Sequence, residues 1–154
     1  MKKALILMMT LAFVLAAGSA YAATDTSPMN VTATVSAVCT IESVSDIDFG
    51  AYDPTSSTDD DAAGDFTFRC VKATDYDLYI TGSRQMTDGG SETLDFELYS
   101  DAGRTTAWPS ASPGITGTAA SNAQDTRDVY GRITALQDAG VGSYSAVVTI
   151  TVEY

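Results

Sequence analysis

A chain of 154 residues with 20 acidic side chains against eight basic ones carries a formal charge of −12, and it contains no histidine. The charge disfavours nucleic acid and anionic membrane surfaces as partners. Without histidine the usual general base is missing, and no Gly-x-Ser-x-Gly elbow, phosphate-cradling loop or metal-ligand cluster takes its place, so neither an enzyme nor a cofactor is expected.

Lys2 and Lys3 precede an apolar run over 4–17 and the small-x-small site Ala20, Tyr21, Ala22, a pattern that predicts a secretory signal peptide over residues 1–22. The apolar run is short for a spanning helix, and no later run of about 18 apolar residues follows. The mature chain is therefore expected to be exported, to begin near Ala23 and to keep 132 residues, enough for one domain with a hydrophobic core but not for two. It retains all 20 acidic residues and six basic ones, which deepens its charge to −14 and favours solubility.

From Met29 to Ile41 the apolar residues Met29, Val31, Ala33, Val35, Ala37, Cys39 and Ile41 alternate with mostly polar ones, and only Val38 breaks the period of two. That period marks a strand with one buried face. At about 3.3 Å per residue it would reach roughly 40 Å, far beyond the usual strand of about 5 to 6 residues. The length favours a division near Cys39: the part after it belongs to this molecule's core, and the part before it is free to fill a groove elsewhere. An ordinary first strand packed in its own domain is the competing reading.

Cys39 is in phase with Val35 and Ala37, and Cys70 is in phase with Phe66 and Phe68, so both thiols point to a core face. In an exported chain with two cysteines, a Cys39–Cys70 disulfide is expected. Closing that loop stabilises the fold by about 3 to 4 kcal/mol on the chain-entropy view.

Short alternating runs follow, with turn chemistry between them and no helical period. Ile47 and Phe49 alternate with Asp46 and Asp48; a loop rich in Asp, Ser and Thr is expected from Asp53 to Gly64. Phe66, Phe68 and Cys70 make the next inward face, then Tyr76, Leu78 and Ile80 up to Gly82. After the Asp88-Gly89-Gly90 turn, Leu94, Phe96 and Leu98 form another. A polar stretch from Pro109 to Asp125 separates these from Val129, Gly131 and Ile133. The last run is the strongest: Tyr144, Ala146, Val148, Ile150, Val152 and Tyr154 share one face, and nothing follows to cover it. Six or seven such strands predict an all-β fold, an immunoglobulin-like antiparallel β-sandwich, with a barrel as the alternative. A long hydrophobic strand at an edge invites pairing with another strand.

Two smaller features have competing readings. The run Asp59, Asp60, Asp61 lacks the Gly and terminal Glu of an EF-hand loop and reads as a solvated loop rather than a calcium site. Trp108, Tyr99 and Tyr130 read as core or rim aromatics, with a sugar-binding surface as the sharper alternative.

The segments IDFGAYDP (Ile47 to Pro54), LYSDAGRTTAW (Leu98 to Trp108), VYGRI (Val129 to Ile133) and GSYSAVVTITVEY (Gly142 to Tyr154) resemble the spore coat protein U domain of archaic, Csu-type chaperone–usher pilus subunits. Two positions depart from the family's pattern: Ala146 stands where an Asp is common, and Pro109, Ser110 and Ala111 stand where a Gly-rich segment follows the Trp. The resemblance implies a sandwich lacking its final strand, completed by donor-strand complementation from a periplasmic pilus chaperone and then, at the outer-membrane usher, from the next subunit. On this chain it implies a donor segment over 23–37, with Met29, Val31, Ala33 and Val35 entering a neighbour's groove, and a body over 38–154. Tyr144, Ala146, Val148, Ile150, Val152 and Tyr154 would form one wall of the acceptor groove.

The expected function is thus a structural subunit of a surface pilus, a head-to-tail homo- or hetero-polymer that supports adhesion and biofilm formation. It would pass through the periplasm to the cell-surface fimbrium. The mature length favours a shaft or adaptor subunit over a tip adhesin, which carries an additional domain. The alternative is a self-completed secreted or coat β-sandwich that recognises glycan.

Overall fold

The computed structural model describes residues 22–154, so all of the expected signal peptide except Ala22 lies outside the described residues. The chain divides into two units after Ala33. Residues 22–33 form no strand, and the body from Thr34 onward contains nine strands and, among the described residues, no helix.

The strands are β1 (Cys39–Val44), β2 (Asp60–Cys70), β3 (Asp75–Thr81), β4 (Gln85–Thr87), β5 (Thr93–Asp95), β6 (Glu97–Tyr99), β7 (Ile115–Thr118), β8 (Gln124–Ile133) and β9 (Thr149–Glu153). Every pairing is antiparallel. One sheet has the order β1-β2-β8-β6, a second the order β7-β3-β9, and β4 and β5 form a hairpin of their own. Alternation places Phe66, Phe68 and Cys70 of β2, Val129 of β8 and Leu98 of β6 against Leu78 and Ile80 of β3, with Trp108 among them. The two sheets thus bury one shared core, as the sequence pattern requires of an immunoglobulin-like sandwich. The rings of Phe66 and Trp108 pack at 5.9 Å between centroids. Trp108 is therefore a core residue, as the plainer reading of the aromatics expects.

Cys39 and Cys70 stand directly opposite each other at the end of the β1–β2 ladder and are joined by a disulfide. The long first run does not continue as a strand on the N-terminal side of Cys39. Residues 34–38 join no ladder strand, although the carbonyl of Val38 accepts a hydrogen bond from the Val71 N–H at 2.9 Å.

Four further boundaries differ from the sequence expectation. β2 begins at Asp60, inside the expected loop, because Asp60 to Gly64 pair with Val129 to Ile133 of β8. The run Leu94 to Leu98 is two strands: the Phe96 N–H turns to the Arg84 carbonyl at 2.9 Å, so β5 pairs with β4 while β6 pairs with β8. The polar stretch from Pro109 to Asp125 contains β7, which pairs with β3 through Asp75 to Leu78. Finally, the ladder of the last run covers only Thr149–Glu153, since β3 ends where Gly82, at φ +118°, lies against the chain. A Cβ on Gly82 would meet the Val147 carbonyl oxygen and Val148 Cα at 3.0 Å each, so only glycine allows this approach.

Replacing Cys39 with Ser opens the covalent end of the β1–β2 ladder. The variant is expected to melt at lower temperature and to accumulate less in an oxidising compartment, by about 3 to 4 kcal/mol of lost stability. Unchanged thermal unfolding and yield would show that the bridge contributes nothing to folding.

Candidate strand-acceptor cleft

After Val44 the chain keeps one contact with the first sheet, a hydrogen bond from the Ser45 N–H to the Asp65 carbonyl at 2.7 Å. Residues 46–49 then run on without a ladder partner. Their two half-buried side chains, Ile47 and Phe49, lie on glycines. A Cβ on Gly64 would stand 2.6 Å from the Ser45 oxygen and 3.0 Å from Ile47, and one on Gly131 would stand 2.7 Å from the Phe49 ring. Phe49 also packs on Phe96, with centroids 6.5 Å apart.

Across from this segment, residues 144–148 are also outside a ladder, except where Ser145 and Thr87 exchange two hydrogen bonds of 3.0 Å. A cleft of about 620 Å³ is lined on one side by residues 44–49 and on the other by residues 144–148 and Ile150. Its remaining lining includes Ile80, Met86, Phe96, Leu98 and Val129. A second cleft of about 560 Å³ shares Ile47, Asp48, Phe49, Met86 and Tyr144 with the first and extends it past Leu94 and Ile133. Both therefore reach fully buried core residues from the surface. The carboxylates of Asp46, Asp48 and Asp65 stand among the lining residues of the first cleft.

Of the residues expected in the acceptor wall, Tyr144, Ala146, Val148 and Ile150 line the cleft. Val152 packs against the core instead, and Tyr154 is 60% exposed; neither lines it. Burial, with Glu92 and Asp88 nearby, raises the Tyr144 phenol above its ordinary pKa, so it stays a neutral donor, bonding the Gly140 carbonyl at 2.9 Å. The opposite side of the cleft, Ile47 and Phe49 with Met86 and Phe96, lies outside the run that the sequence expectation covers. The signal for Ile47 and Phe49 was present, since both alternate with aspartates in a run that no strand partner claims.

The expected donor residues are among the most exposed apolar side chains of the protein. Met29 and Val31, in residues 22–33, are 85% and 88% exposed; Ala33 is exposed, and Val35 is 78% exposed.

The acidic run at 59–61 is an ion-pair site. Asp61 accepts from Arg132 Nε at 2.8 Å and Nη2 at 3.0 Å and lies 3.2 Å from Arg104 Nε, while Asp59 lies 3.4 Å from Arg132 Nη1. The Arg132 hydrogen bond holds the Asp61 carboxyl below the usual carboxylate range despite partial burial. Among the described residues, no group of three or more acidic or cysteine side chains is arranged to hold a metal.

These features define an all-β antiparallel sandwich with a cleft between residues 44–49 and residues 144–148, most of which join no ladder. The chain belongs to the Spore Coat Protein U domain family, which it matches over residues 25–151. No curated protein matches it. Among solved structures, its fold is similar to a chain in the crystal structure of the CsuC–CsuE chaperone–tip adhesion subunit pre-assembly complex from the archaic chaperone–usher Csu pili of Acinetobacter baumannii. The TM-score is 0.58 at 20% identity, over 79% of this chain and 40% of that one. This chain thus corresponds to well under half of that protein's length.

The lowered Asp61 pKa carries a pH signature. A carboxyl whose folded pKa lies below its unfolded value stabilises the fold at neutral pH, and the contribution is lost as pH falls through the folded value. Asp61→Asn should therefore lower the melting temperature most near neutral pH, with the deficit shrinking as the solution is acidified below the usual carboxylate range. A deficit independent of pH would mean that the Asp61–Arg132 pair does not act through charge.

Proposed function

We propose that this protein is a structural subunit of an archaic chaperone–usher surface pilus and that it polymerises by donor-strand exchange. The observation that carries this reading is the cleft: apolar core residues are reached between two segments, residues 46–49 and 144–148, that belong to no strand of the two sheets. A donated strand would supply both missing ladders and cover those side chains at once. The family match and the fold shared with a chain from a chaperone–subunit complex support the same reading.

The donor would be the N-terminal segment, roughly Thr26 to Ala37, with Met29, Val31, Ala33 and Val35 entering a neighbour's cleft. It leads into β1 at Cys39, whereas the cleft begins at Val44, the other end of β1. Five residue steps of strand separate these points by about 17 Å. A segment that fills the cleft of its own body must turn back over that length with Val38 as the only spare residue. Donation to the next molecule needs no such reversal, and a head-to-tail contact that does not close gives a filament.

In this reading a periplasmic chaperone occupies the cleft first, an outer-membrane usher exchanges it for the next subunit, and the product is a cell-surface fimbrium that serves adhesion and biofilm formation. The role is structural and not catalytic.

Two substitutions separate donor from acceptor. Val31→Asp places a carboxylate where the neighbour's cleft is apolar, which is strongly unfavourable; it should abolish fibre formation while the subunit still co-purifies with its chaperone. Val148→Asp charges the cleft itself and should reduce both chaperone capture and polymerisation, so the subunit is degraded. Loss of chaperone binding in Val31→Asp equal to that in Val148→Asp would place the N-terminal segment in the folded body and sink the donor assignment. A chain that runs only as a monomer on an unheated denaturing gel would instead favour a self-completed module.

A further inference from the structure

The N-terminal segment leaves the body beside the one lysine that follows Lys2 and Lys3. Because the Val38 carbonyl accepts from the Val71 N–H at 2.9 Å, the chain passes next to the turn that carries Lys72. That turn is fixed. The Ala73 N–H donates to the Ala119 carbonyl at 2.8 Å, the Thr74 N–H to the Val71 carbonyl at 3.0 Å, and the Lys72 N–H to Asn122 Oδ1 at 2.6 Å. Lys72 is exposed, and its ammonium has no carboxylate partner among the described residues, whereas each of the five arginines has one. In a mature chain of charge −14, the one free side-chain cation thus stands at the root of the donor segment.

The two strand-acceptor clefts run away from that end of the body. On the Cys39 side of Val44, β1 and β9 come into contact and close the gap; on the far side the second cleft opens between residues 50–52 with Pro54 and residues 139–143. The mouth is acidic. Asp48 lines both clefts, Asp53 sits between the lining residues Tyr52 and Pro54, Glu92 accepts from the Gly140 N–H at 3.3 Å, and Asp88 Cβ would stand 3.2 Å from a Cβ on Gly142. Among the described residues none of these four carboxylates is in an ion pair.

On the donor-strand reading, Met29 to Val35 of one molecule fill the clefts of the next, and Val38, hydrogen-bonded beside Lys72, then lies three residue steps from Val35, at most about 11 Å away. So short a tether leaves through the open mouth and draws the Cys39–Cys70 end of the incoming body against it. We propose that Lys72 docks on the carboxylates at the cleft mouth of a second copy of this chain, and that the contact speeds each addition to the polymer. Two bodies of like charge repel as they approach, and a cation at the point of closest approach offsets that locally. Both partners are solvated, so the contact is screened by salt.

Cleavage at the expected site removes Lys2 and Lys3, so Lys72 supplies the only side-chain amine of the mature subunit. Fibres of the full chain, assembled with its chaperone and usher, are treated with a carbodiimide, which joins an amine to a carboxylate in direct contact. Mass mapping should place the Lys72 cross-link on Asp48, Asp53, Asp88 or Glu92 of a second copy, and the joined subunits should then survive boiling in detergent. Lys72→Arg keeps the charge and should give fibres that no longer cross-link at this position. Lys72→Glu should slow fibre growth from the purified chaperone–subunit complex about three- to tenfold in dilute buffer, with the deficit gone near about 0.5 M salt. A Lys72 cross-link found only within one subunit or only to the chaperone, growth unaltered by Lys72→Glu, or a deficit indifferent to salt would overturn the proposal and leave strand exchange standing. Absence of any fibre from the unaltered chain would overturn both.

Discussion

Gly64 and Gly131 leave space where residues 45–49 press on the first sheet, and the open side of the molecule depends on that contact. A Cβ at either position would come within 2.6 and 2.7 Å of Ser45 and Phe49, closer than van der Waals contact permits. With side chains there, the segment after β1 would have to lift away, and Ile47 and Phe49 would lose their seat. Because the glycines admit it, the segment stays on the sheet while residues 46–49 join no ladder, and the first cleft lies between them and residues 144–148. Gly82 does the corresponding work on the second sheet, where it ends β3 against Val147 and Val148. Small residues, more than large apolar ones, determine where the sandwich is open.

The charge of the protein is distributed unevenly between use and surplus. All five arginines take part in ion pairs: Arg69 with Glu42, Arg84 with Glu97, Arg104 and Arg132 with Asp61, and Arg127 with Asp125. Each pair is partly exposed and contributes little alone. Yet together they consume most of the positive charge, so the carboxylates left over, including Asp46, Asp48 and Asp65 along the first cleft, define the field that an approaching molecule meets.

The core was legible because its residues obey one rule. Phe66, Phe68, Cys70, Leu78, Ile80, Leu98 and Val129 alternate with polar residues over a run long enough to establish the period, and all are buried. The same rule assigned Cys39 and Cys70 to facing positions. It failed where side chains are small or short runs turn: Asp60 to Gly64 read as loop because Asp, Ala and Gly carry no apolar face, although Arg132 and the bare sheet surface require them to be strand. β4 and β7 span three and four residues, too few to show a period. The cleft was half legible. Alternation puts Tyr144 to Tyr154 on one face, and the resemblance makes that face a groove wall; Tyr144, Ala146, Val148 and Ile150 line the cleft, whereas Val152 packs on the core and Tyr154 is exposed. The wall of Ile47 and Phe49 needed the glycines opposite it, which are far away in sequence.

The disulfide has a mechanical consequence. A pull on the N-terminal segment enters the body at Val38 and acts first on the Cys39–Cys70 pair, the outermost rung of an antiparallel ladder. Without a covalent link there, the load would fall on the hydrogen bonds of the β1–β2 ladder alone. With the bridge in place the load passes directly to β2, which is paired along ten positions with β8 in the interior of the sheet. Tension thereby bypasses the β1–β2 hydrogen bonds and is carried by the longest ladder among the described residues.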